Sequence, residues 1–100
     1  MEENKQKLNI NISPEIAEGK YINMEIITHN QSEFVLDFAQ ILPGIPGANV
    51  KSRVIMTPDH AKRLLAALTD NIEKYEKEFG PINQGQVKVP IGFNIPRGEA

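Results

Sequence analysis

Cysteine is absent from the chain. That excludes disulfides, thiol catalysis and zinc sites built on cysteine. An excess of charge of one sign is also lacking. Eleven Lys and Arg stand against 13 Asp and Glu, for a net charge of -2. Tight non-specific nucleic-acid binding therefore has no basic field to drive it, although a local basic stripe stays open. No apolar run is long enough to cross a bilayer. The start, MEENKQK, has no signal-peptide core, so the cytoplasm is the expected location. Histidine occurs only at positions 29 and 60, with no second histidine at helical spacing. A metal site is not expected, and neither is a cofactor.

Catalytic arrangements are missing as well. Glu33 and Asp37 fall on one strand face but four residues apart, roughly 13 Å along a strand and too far for a paired-carboxylate acid and base. Ser13, Ser32 and Ser52 have no nucleophile-elbow context. Gly44 and Gly47 are not followed by the Gly-Lys-Ser/Thr of a phosphate loop. The expectation is a protein that is not an enzyme.

What is present is an architecture. The chain has 100 residues, 40% apolar and 24% charged, the make-up of one globular domain. Residues 1–7 are polar and read as a frayed end; 8–80 read as the domain and 81–100 as an extended arm. The clearest element is a helix over 57–79. Thr57 suits the N-cap, Pro58 the first helical position and Asp59 the first turn. Ala61, Leu65, Leu68, Ile72, Tyr75 and Phe79 recur at 4-3-4-3-4 spacing, with Leu64 beside them. That is the apolar stripe of an amphipathic helix, and it also admits helix–helix pairing. Gly80-Pro81 ends it.

Alternation at period two marks strands at Leu8–Ile12, Tyr21–His29, Glu33–Gln40 and Val50–Met56. Asn30-Gln31-Ser32 reads as a hairpin connection. One sheet face collects Ile22, Met24, Ile26, Phe34, Leu36, Phe38, Val54 and Met56, and the helix stripe is its expected cover. The other face mixes Ile27, Val35, Ala39 and Ile55 with Tyr21, Glu25, Glu33, Asp37, Lys51 and Arg53. It is either solvated with cross-strand charge pairs or half buried against another chain. The expected fold class is α+β, an antiparallel sheet of three to four strands covered on one face by one long helix (ββββα), with an extended C-terminal arm.

Three segments suit a partner. The loop ILPGIPGAN carries Ile41, Leu42 and Ile45 between two Pro-Gly pairs. Those side chains either tuck under the sheet edge or face a partner. His60 and Arg63 lie at the helix start. In the arm, Val89, Ile91 and Phe93 alternate with polar residues, yet Pro90 and Pro96 bar it from a central strand. Tyr21, Lys51 and Arg53 offer a ring and two cations for single-stranded nucleic acid, on analogy with the Whirly and Pur-type proteins. Glu25, Glu33 and Asp37 on the same face weigh against that alternative.

The block from Tyr21 to Gly80 resembles the small bacterial proteins grouped as domain of unknown function 3467. The likeness is carried by Tyr21, Ser32-Glu33-Phe34, Leu36-Asp37-Phe38, Arg53-Val54, Met56-Thr57-Pro58 and His60-Ala61-Lys62. It continues through Leu64-Leu65, Leu68, Asn71-Ile72, Tyr75-Glu76 and Phe79-Gly80. The resemblance implies an accessory protein bound to RNA polymerase or the transcription machinery, with no catalytic residues. A looser, architectural likeness to the SecB export chaperone implies client binding through the apolar loop and tail. A homodimer is one option: the single-strand binder and the chaperone need at least a dimer, whereas a polymerase-bound subunit can be a monomer.

Overall fold

The computed structural model describes residues 7–85. Its elements are α1 (Pro14–Ala17), β1 (Met24–His29), β2 (Phe34–Gln40), β3 (Asn49–Met56) and α2 (Pro58–Phe79). The strands form one antiparallel sheet in the order β1-β2-β3. The class is α+β, as the sequence implies.

Residues 8–12 are not a strand, so the described sheet has three strands and no fourth. Leu8, Ile10 and Ile12 are exposed, and alternation without a neighbouring strand to pair with gives no ladder. The segment beyond Ser13 is a single helical turn. Ser13 caps it by accepting the Ile16 N–H at 3.3 Å. Ser13-Pro14-Glu15 repeats the start signal of Thr57-Pro58-Asp59, but Gly19, at φ 78°, closes the turn early.

The hairpin register corrects the expected faces. Asn30 N–H donates to the Glu33 carbonyl, leaving Gln31-Ser32 as a two-residue connection. With two residues between them, even positions of β1 face odd positions of β2: Ile26 pairs with Asp37 and Thr28 with Val35. A connection counted as three residues would have paired even with even. One face therefore carries Met24, Ile26, Thr28, Val35, Asp37, Ala39, Arg53 and Ile55. The other carries Glu25, Ile27, His29, Phe34, Leu36, Phe38, Ser52, Val54 and Met56. Between β2 and β3 the expected parity holds, until the register shifts at Phe38/Ala39 and Lys51 becomes the extra residue of a bulge.

Burial follows the middle strand. Leu36, at 8% exposed, and Ala39, at 0%, are the buried apolar residues among those described, and no large side chain there is fully buried. α2 adds little cover. Leu64, Leu65, Leu68, Ile72, Tyr75 and Phe79 are between 37% and 66% exposed. Only Thr57 separates β3 from α2, fewer than the two to six residues usual for such a connection. That leaves no slack for the helix to fold back over the sheet. Among the described residues α2 therefore does not make the expected cover over the sheet. The helix itself is well built: Thr57 Oγ1 accepts the His60 N–H, Gly80 N–H reaches the Glu76 carbonyl at 2.8 Å, and Ile82 N–H reaches the Glu76 carboxylate.

Candidate functional site

The loop after β2 is held in a defined shape by β1's approach segment. Asn23 Nδ2 donates to the Ile41 carbonyl at 3.0 Å, and Ile41 N–H donates to Asn23 Oδ1 at 2.8 Å. One side-chain amide thus mimics a strand neighbour for Ile41. Gln40 Nε2 adds a bond to the Tyr21 carbonyl at 3.1 Å. Beyond Ile41, Ile45 N–H closes a turn onto the Leu42 carbonyl. Pro43 presets its first corner, and Gly44, at φ 80°, supplies the positive φ that the next position of a type II turn requires.

That scaffold leaves Ile41, Leu42 and Ile45 between 37% and 47% exposed. Tucking under the sheet edge is therefore only partial, and each side chain keeps apolar area to present. Asn23 and Gln40 were not readable as loop supports from the sequence. An asparagine just before a strand has many uses, and its partner lies 18 residues away.

His60 and Arg63 lie at the opposite end of the sheet. β3 runs its eight residues between the loop and the α2 corner, roughly 25 Å of chain. The two patches are therefore separate. At the corner, Thr57 Oγ1 donates to Asp59 Oδ1 at 2.7 Å, and Arg63 Nη1 approaches Asp59 Oδ2 at 3.0 Å. The Thr57 hydrogen bond, helped by the Arg63 charge, holds the Asp59 carboxyl below its ordinary pKa. Both ion-pair partners are exposed, so the pair orders the corner more than it stabilises the fold. His29 stacks on Phe34 near this end, ring centroids 5.2 Å apart.

The three nucleic-acid candidates have different local roles. Arg53 grips Asp37 through Nε and Nη2 at 2.7 and 2.9 Å. Lys51 is the bulge residue, and Tyr21 precedes β1. Val89, Ile91 and Phe93 lie outside the described residues. Among the described residues, no group of three or more His, Cys, Asp or Glu side chains could hold a metal, and no helix is long and apolar enough to cross a membrane.

The corner residues, Met56-Thr57-Pro58 running into His60-Ala61-Lys62, belong to the block that carries the family likeness. The corresponding family profile, described as "Protein of unknown function (DUF3467)", matches residues 1–84. The chain belongs to the DUF3467 family. The match reaches past Tyr21–Gly80 at both ends, so the DUF3467 unit includes α1, the clamped loop and the whole of α2. No curated protein matches the chain, and no solved structure does.

Proposed function

We propose that this DUF3467 protein is a non-enzymatic interaction module of the cytoplasm that docks a larger protein through the loop over 41–48. The observation that carries this reading is the clamp of Asn23 on Ile41. It fixes a Pro-Gly turn with three partly exposed apolar side chains. A loop already held in shape loses little conformational entropy on binding. Apolar side chains on such a loop, flanked by polar residues, have the make-up of an interface core with a rim. The arm over 81–100 is proposed as a second contact, through Val89, Ile91 and Phe93. His60 and Arg63 form a third, polar one at the other end of the sheet.

RNA polymerase is the partner proposed from the family resemblance. The test is affinity purification of the tagged chain from its native cell. Recovery with polymerase subunits in stoichiometric amount supports the reading, and loss of those subunits in Ile41→Asp/Ile45→Asp places the contact on the loop. Recovery of the chain without polymerase subunits overturns the polymerase assignment. Retention of the partner by the loop variant moves the contact elsewhere.

A further inference from the structure

The exposed stripe of α2 needs a cover, and the stripe itself carries the information about what fits. We propose that α2 pairs antiparallel with α2 of a second copy of this chain, about a two-fold axis that crosses the stripe midway between Leu68 and Ile72. This inference goes beyond the loop reading and does not depend on it.

The area calls for a partner. Leu64, Leu65, Leu68, Ile72, Tyr75 and Phe79 are all more than one-third exposed. Together they present on the order of 600 Å², the upper end of what the largest patch on a monomer shows. A standard interface takes roughly 800 Å² from each partner, most of which this one stripe supplies. Tyr75 and Phe79 already stack on each other, with centroids 4.9 Å apart, and extend the stripe as one aromatic surface.

The order of side chains selects the antiparallel arrangement. Ala61, Leu65, Leu68, Ile72, Tyr75 and Phe79 are numbered symmetrically about residue 70. Reversing one copy therefore sets Leu68 against Ile72, Leu65 against Tyr75 and Ala61 against Phe79, each layer occurring twice. The smallest side chain meets a large one at both ends. A parallel pair in register would set Phe79 on Phe79 at one end and Ala61 on Ala61 at the other. One end would then be crowded and the other void.

Charge points the same way. Asp59, Lys62 and Arg63 give the N-terminal half of α2 a net +1. Asp70, Glu73, Lys74, Glu76, Lys77 and Glu78 give the C-terminal half a net -2. Antiparallel pairing lays the two halves against each other and opposes the helix dipoles. Lys62 and Glu76 flank the stripe on the same side, one helical position after Ala61 and Tyr75, so they face each other across the axis. One Glu76 oxygen accepts the Ile82 N–H within the chain, and the other has no partner among the described residues and suits Lys62 of the second copy.

The absence of cysteine makes the test clean. In full-length protein, Ala61→Cys/Phe79→Cys should form a disulfide-linked dimer under mild oxidation, whereas Ala61→Cys alone should not. The two positions are 18 residues apart on one helix, about 27 Å, so the bond can only form between chains. Light scattering on the unmodified chain should give twice the chain mass, or a higher even multiple. Lys62→Glu and Glu76→Lys should each weaken dimerisation several-fold at low salt, and the double swap should restore it. A monomer overturns the proposal and assigns the cover to the chain's own C-terminal residues. A dimer that cross-links through Ala61→Cys alone, or in neither variant, also overturns it, in favour of parallel helices or of helix on sheet.

Discussion

Arg53 and Asp37 stand directly opposite each other on β3 and β2, and the guanidinium holds both carboxylate oxygens at 2.7 and 2.9 Å. The Asp37 side chain is only 10% exposed, whereas that of Arg53 is 64% exposed. The pair is therefore asymmetric: a carboxylate sunk in the sheet and a cation that covers it from the solvent side. Removing Arg53 leaves a nearly buried charge without its partner. Arg53→Met is expected to lower stability measured by urea unfolding at fixed protein concentration. Replacing both, as Asp37→Val/Arg53→Met, should recover most of that loss, because no unpaired charge remains. A double variant as unstable as the single one would mean that the carboxylate, and not its pairing, is what the sheet needs.

The same pair sets an acid limit. The Arg53 hydrogen bonds hold the Asp37 carboxyl below its ordinary value of 3.8 in the folded protein. A carboxyl with a lowered folded pKa adds stability that is complete above the unfolded pKa. That stability is lost as pH falls through the folded one. The contribution is thus flat at neutral pH and disappears below about pH 4. The stability gap between the natural chain and Asp37→Asn should narrow on acidification through that window. A gap that stays constant down to the acid unfolding of both proteins would contradict the assignment.

Asn23→Ala removes both hydrogen bonds that fix Ile41. The groups are exposed and water can replace the lost partners, so the global cost should be small, about 1 kcal/mol. The local effect should be larger. Amide exchange at Ile41 is expected to speed up while exchange at Leu36, in the middle strand, changes little. Equal acceleration at both amides would show that the clamp serves the whole sheet.

Thr57 joins strand to helix. Its hydroxyl accepts the His60 N–H and donates to Asp59. Thr57→Ala should cost about 1 kcal/mol and Thr57→Ser much less. In the alanine variant the Asp59 carboxyl loses the hydrogen bond that most lowers its pKa. Its titration, followed by NMR, should move up. An unchanged Asp59 titration would assign the lowering to Arg63 instead.

The helix was legible in the sequence because three independent signals agree over Thr57–Gly80: the cap, the stripe and the stop. β2 and β3 were legible from alternation, to within one residue at their starts. The face of β1 was not, because parity depends on whether Asn30 belongs to the turn or to the ladder, and a single backbone bond to Glu33 decides it. α1 was missed although Ser13-Pro14-Glu15 spells a helix start, since no apolar period follows to extend it. The loop's apolar residues could be picked out by composition. Their support by Asn23 could not, because it is a contact between segments far apart in sequence. The cover over the helix stripe was misjudged for a different reason. Periodicity tells which face of a helix is apolar, and says nothing about what lies against it.

The extra residue at Lys51 has a consequence for how the sheet can grow. In the described sheet β1 and β3 are the edge strands, each with a row of backbone groups on its outer side. On β3 the bulge bends the strand and puts a lysine where a flat edge would continue, which spoils it as a template for another strand. β1 pairs with β2 through six residues without a break in register. Any strand added from outside, whether from this chain or from a different protein, has a regular edge to join on the β1 side and an interrupted one on the β3 side.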